Sequence, residues 1–150
     1  MRFGLVGSSE KKLGVKYSTF KLLLDRVVCV SFNLKIEVFS YFYFLGPTVT
    51  IVGSTFEHFR SKKDGGAIYA KGPQTKISIS DSTFKSNIAK DGSGGAIAVE
   101  GGVQLDVADT SFESNTAATN GGAVSLFDQS VTLGTRGNFT SCIFDTNKAT

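Results

Sequence analysis

"ISISDSTFKSNIAKDGSGGAIAVEGG", residues 77–102, carries three local signals in one stretch. Ile77 and Ile79 alternate with Ser78 and Ser80, the period of two expected of a short strand with one buried face. A Phe-x-x-Asn group follows at Phe84 and Asn87, and a glycine-rich run then leads into the apolar "GGAIAV" from Gly94. Glycines before an apolar tail could cradle a phosphate or could only let the chain turn. The rest of the chain decides between the two.

The first half of the stretch recurs as "VTIVGSTFEHF" (49–59), "LDVADTSFESN" (105–115) and "FTSCIFDTN" (139–147). Aligned on their phenylalanines, Phe56, Phe84 and Phe112 stand 28 residues apart, and Phe144 follows after 32. The second half recurs as "GGAIYA" at Gly65 and Gly66 and as "GGAVSL" at Gly121 and Gly122, matching Gly94 and Gly95. Asp or Asn precedes each pair, as turn chemistry requires. The glycines therefore belong to a repeated corner. A dinucleotide loop would also need a third glycine where Ile97 stands and a helix where a strand pattern follows.

Alternation continues in every copy: Val49 and Ile51, Leu105 and Val107 before the phenylalanine, and Ile68 and Ala70, Ile97 and Val99, Val124 and Leu126 after the glycines. No segment after residue 48 has a helical period. Short strands repeating near 28 residues predict an all-β solenoid, a single-stranded parallel β-helix in which each unit makes one coil and stacked coils pair at about 4.8 Å. Residues 49–150 then make about 3.5 coils, and residues 1–48 form a divergent N-terminal segment. Phe56, Phe84, Phe112 and Phe144 stack. Asn87, Asn115 and Asn147, each three residues after its phenylalanine, are read as a ladder of side-chain amides, against the simpler reading of a left-handed turn residue. Phe59 stands where the first copy should have its Asn.

Alternating Phe-x-x-Asn, as in "TFKSN" and "SFESN", with Gly-Gly-Ala-Ile, as in "GGAIAV" and "GGAVSL", resembles the repeat of the chlamydial polymorphic outer membrane proteins. The resemblance covers roughly residues 49–150. It implies a right-handed parallel β-helix of the pectin-lyase-like kind, an extracellular or cell-surface location, and a structural or adhesive role toward a host or cell-surface protein or carbohydrate. It also implies that this chain is either part of a longer protein, whose solenoid is then expected to continue at either end, or a reduced relative. Nothing here supplies the membrane barrel that follows the passenger in those proteins.

Composition supports this reading. Apolar residues make up 41% and charged residues 19%, with no tryptophan. The net charge of +3 is uneven: residues 1–45 hold seven Lys/Arg against three Asp/Glu, and residues 46–150 hold nine against ten. A near-neutral body with scattered lysines argues against nucleic acid. Glu10, Lys11 and Lys12 interrupt the N-terminus too early for a signal peptide, and Asp25, Arg26, Lys35 and Glu37 divide the apolar run 22–45 into pieces too short to span a bilayer, so no membrane insertion is expected. "LGVKYSTF" (13–20) copies the first half of a unit, but no Asn or glycine pair follows. Residues 21–46, ending in "FSYFYFLG", read either as a divergent cap on the open solenoid end or as a translated intron.

The sequence names no catalytic, metal or cofactor residue. Many β-helices cleave polysaccharides with clustered carboxylates, which makes a carbohydrate-binding or lyase-type protein the second reading. Asp81 and Asp109 are equivalent positions, but Gly53 and Ser141 flank them, and an Asp before Ser or Thr more simply bonds to its own backbone. His58 is the only histidine, so no His-based metal cluster can be assembled and a Ser–His–Asp triad would depend on this one position, which reads more simply as a coil-surface residue. Cys29 and Cys142 fit neither a metal spacing nor a disulfide framework. Asn138, in "NFT", is a glycosylation sequon placed in the four-residue excess of the last interval, where a surface loop is expected.

Overall fold

Alternating side chains become strands, and the repeat becomes the stacking rule. The computed structural model describes residues 33–35, 42–44, 48–128 and 134–150. Strands β1 (Asn33–Lys35) and β2 (Phe42–Phe44) precede the first complete coil, which is made of β3 (Thr48–Val52), β4 (Thr55–Glu57), β5 (Arg60–Ser61) and β6 (Ile68–Lys71). The second coil holds β7 (Lys76–Ser80), β8 (Thr83–Lys85), β9 (Ile88–Ala89) and β10 (Ile97–Glu100). The third holds β11 (Gln104–Ala108), β12 (Ser111–Glu113), β13 (Thr116–Ala117) and β14 (Val124–Phe127). A fourth begins with β15 (Arg136–Thr140), β16 (Ile143–Asp145) and β17 (Lys148–Ala149). No helix occurs among the described residues.

Equivalent strands of successive coils pair in parallel and form four sheets running the length of the stack: β3-β7-β11-β15, β1-β4-β8-β12-β16, β5-β9-β13-β17 and β2-β6-β10-β14. Register is strict. Val49 lies opposite Ile77 and Ile77 opposite Leu105, while Phe56, Phe84, Phe112 and Phe144 follow one another. The described residues therefore form an all-β solenoid of three complete coils with part of another at each end. Two strands before residue 48 continue two of the sheets, Leu34 opposite Phe56 and Tyr43 opposite Tyr69. Apart from these short pieces of backbone, the 13–20 half-unit, Cys29 and the 21–46 stretch lie outside the described residues.

The core is a narrow column. Val49, Ile51, Ile77, Ile79, Leu105 and Val107 point inward from one sheet, and Ile68, Ala70, Ile97 and Val99 from another, all buried. Full burial of each large aliphatic side chain contributes about 1.5–3 kcal/mol. Much of that shelter comes from the coils above and below, so a lone coil has no enclosed interior.

All four corners bend through backbone of positive φ. The first is at Gly53, Asp81, Asp109 and Ser141, the second at His58, Ser86, Ser114 and Thr146, the third at Gly65, Gly94 and Gly121, and the fourth at Gly72, Gly101, Gly102 and Gly134. At the second corner the left-handed residue stands just before the Asn position, which leaves the amide free to turn inward. At the third, a Cβ on Gly65 or Gly94 would run into the carbonyl of Ile68 or Ile97. The next residue is small for another reason: a Cβ on Gly95 would meet Thr116 backbone nitrogen at 2.6 Å and the Gly122 carbonyl, both in the following coil.

Candidate functional site

The repeated polar residues are buried and face one another between coils. Asn87 Nδ2 donates to Asn115 Oδ1 at 2.9 Å and to the Phe56 carbonyl at 3.0 Å. Asn115 repeats the pattern, donating to Asn147 Oδ1 at 2.9 Å and to the Phe84 carbonyl at 3.0 Å. Each Oδ1 also accepts a backbone N–H from the coil before, Asn87 N to Asn115 Oδ1 and Asn115 N to Asn147 Oδ1, both at 3.0 Å. Asn115 thus uses both hydrogens of its amide and both lone pairs of its oxygen. Phe59 interrupts the ladder only as a side chain. Its N–H still donates to Asn87 Oδ1 at 3.0 Å, and its buried ring packs against Phe56 with centroids 5.9 Å apart.

Beside the amides runs a column of rings. Phe56, Phe84, Phe112 and Phe144 stack face to face at centroid separations of 4.6, 5.1 and 4.8 Å. Strand spacing enforces face-to-face stacking, which isolated rings do not prefer.

A third column was missed in the sequence reading. Ser54, Ser82 and Thr110 are buried, and each hydroxyl donates to the carbonyl two residues before it, at 3.0, 2.7 and 2.7 Å. The Ser82 and Thr110 oxygens also accept the backbone N–H of the equivalent residue one coil earlier, at 3.1 and 3.4 Å. Cys142 continues the column, its thiol directed to the Thr140 carbonyl at 3.4 Å. These residues stand two before each phenylalanine, in "STF", "STF", "TSF" and "CIF", so the aligned repeat contained the signal. They also correct the reading of the aspartates. Asp81 and Asp109 are exposed residues with left-handed backbone, and the hydroxyl that bonds the turn belongs to the next residue.

Outside, the register rows hold different chemistry in each coil. Thr50, Ser78, Asp106 and Asn138 succeed one another along one sheet. Asn138 is an exposed residue of β15, not of a loop; because Val124 still pairs with Ile97, the extra residues of the last interval fall between β14 and β15. Glu57, Lys85, Glu113 and Asp145 form another row, with Lys85 Nζ 3.7 Å from Glu113 Oε2. His58 is exposed, its Nε2 3.4 Å from Glu57 Oε1. Glu100 is buried beneath Lys71, whose Nζ approaches to 2.9 Å, and the Tyr69 hydroxyl bonds to the same carboxylate oxygen. Among the described residues no three His, Cys, Asp or Glu side chains cluster closely enough to hold a metal. A groove of about 410 Å³ opens at the last coil between Val124, Leu126, Phe139, Phe144 and Asn147.

Fold and ladders define the class first: a parallel β-solenoid whose repeated residues serve coil-to-coil stacking. Residues 81–100 and 109–126 match the model of the Chlamydia polymorphic membrane protein repeat, two stretches to which the chain is similar. Both matched stretches contain the Phe-x-x-Asn and Gly-Gly-Ala signatures whose geometry is given above. Comparisons with curated proteins and with solved structures return no match.

Proposed function

We propose that the chain is a non-catalytic module of a cell-surface or secreted protein, a solenoid that displays a varied outer surface for adhesion to a host or cell-surface protein or carbohydrate. One observation carries this reading. Residues that recur from coil to coil point inward or into the neighbouring coil, whereas outward residues in the same register, such as Thr50, Ser78, Asp106 and Asn138, differ in each. Such a chain keeps the scaffold constant while leaving the surface free to change. The surface location follows the family whose repeat these stretches resemble.

The test is adhesion. Beads coated with the full chain should bind cultured epithelial cells in greater number than beads coated with an unrelated β-protein, and stripping surface protein or glycan from the cells should remove the difference. Equal binding of both bead types would overturn the reading. So would cleavage of an acidic polysaccharide by the purified chain, lost in Asp81→Ala or Asp109→Ala, since that would make the carboxylate row a catalytic one.

A further inference from the structure

Charge is distributed unevenly around the coil. On the β1-β4-β8-β12-β16 side the described exposed or half-buried acids are Glu57, Asp81, Asp109, Glu113 and Asp145, against Lys85, Lys35 in β1 and the histidine His58, so acids outnumber Lys and Arg five to two. One corner further along the chain the balance reverses. Arg60, Lys62, Lys63 and Lys90 are all exposed at the edge formed by β5, β9 and the turns that follow them. Pairing runs past the strand ends, Lys90 N to the Ser61 carbonyl at 2.9 Å and Asp91 N to the Lys62 carbonyl at 3.1 Å, which places Lys62 beside Lys90. Adjacent coils are about 4.8 Å apart, and Arg60 lies two residues from Lys62, about 7 Å along the chain. The four cations thus share one short edge.

The acids of this edge are Asp64 and Asp91. Asp64 Oδ1 is engaged by the Ser93 N–H at 2.7 Å, and none of the four cations forms a salt bridge among the described residues. Hydroxyls stand on the same side: Ser93 Oγ and Thr119 Oγ1 are 2.6 Å apart at an exposed position. No aromatic ring is exposed on the described part of the edge, where Phe59 is buried, so it lacks the platform on which unpaired bases stack. Clustered cations with neighbouring hydroxyls suit a chain of anionic sugars, whose carboxylates or sulfates meet Lys and Arg and whose hydroxyls meet Ser and Thr.

We infer that the edge formed by Arg60, Lys62, Lys63 and Lys90 binds an acidic polysaccharide, an inference that rests on the surface-module reading and names its partner class. The experiment compares the full chain with Lys62→Gln/Lys63→Gln/Lys90→Gln, and with Lys76→Gln/Lys85→Gln/Arg136→Gln, which removes equal charge from other faces. Immobilised heparin and polygalacturonate are the probes, one bearing sulfates and one only carboxylates, and circular dichroism confirms that each variant stays folded. The natural chain should bind at least one probe, the edge variant about tenfold more weakly or worse, and the other variant almost unchanged; the preferred probe identifies the anion. Failure of the natural chain on both probes, or equal weakening of the two variants, would overturn the proposal. Equally tight binding of single-stranded DNA through the same lysines would reassign the edge to nucleic acid. Adhesion of beads to cells without polysaccharide binding sinks this edge and spares the module; polysaccharide binding without adhesion does the reverse.

Discussion

The second and third coils and the fourth obey the same rules in different company. Phe84 and Phe112 are fully buried, while Phe144, in register with them and stacked as closely, is 50% exposed. Asn115 has amides above and below it; Asn147 accepts from Asn115 and donates to the Phe112 carbonyl, with nothing paired on its far side among the described residues. The residue types are the same, so the contrast measures what a neighbouring coil contributes. In this architecture stability resides between units more than within them.

Matched substitutions test that contrast, and the largest effect belongs to the rings. Phe84→Ala leaves a cavity enclosed by two coils and should cost about 3–5 kcal/mol in chemical denaturation. Phe144→Ala removes a ring open on one face and should cost about 1–2 kcal/mol. Equal losses would mean that the last coil is as enclosed as the middle ones. Next come the amides. Asn115→Ala strips the acceptor from Asn87 N and Nδ2 and the donor from the Phe84 carbonyl, and should cost about 2–3 kcal/mol in all, because water can enter the space the amide leaves. Asn147→Ala, closer to water, should cost about 1 kcal/mol.

Glycines give the smallest of the three contrasts and separate two reasons for having no side chain. Gly95→Ala forces a Cβ into the following coil and should destabilise by about 1–3 kcal/mol. Gly53 has left-handed backbone with open space around it, so Gly53→Ala should cost about 1 kcal/mol, and Gly53→Asp, copying Asp81 and Asp109, less still. Melting curves of the three variants would rank them, and a Gly53→Ala loss as large as that of Gly95→Ala would break the distinction.

Phe56, Phe84, Phe112 and the glycine pairs were legible because an aromatic or a Gly-Gly recurring at fixed spacing has few explanations other than stacking. The hydroxyl column was not, since Ser54, Ser82 and Thr110 carry residue types usual on surfaces and only their place beside a buried ring marks them as interior. The Asn side chains pair between coils, while the left-handed bend belongs to the preceding Ser86 and Ser114. Asn138 was misplaced for a different reason. Alignment on phenylalanines fixes the length of an interval but not where inside it the extra residues lie, and here they fall before β15 rather than within the sequon. The basic edge left no periodic trace, because Lys62 and Lys90 recur in only two coils.

The uniform register also has a mechanical consequence. Nearly every bond that joins one coil to the next runs along the stack axis, so pulling the chain outward from its last strands loads β17, β16 and β15 in turn and leaves the coils beneath them intact. The stack should then peel one coil at a time. Each release of a whole coil frees 28 or 32 residues, the offsets recorded by the ladder bonds, or roughly 90–115 Å of slack when fully extended. A surface protein built this way would yield to shear in measured steps instead of failing all at once.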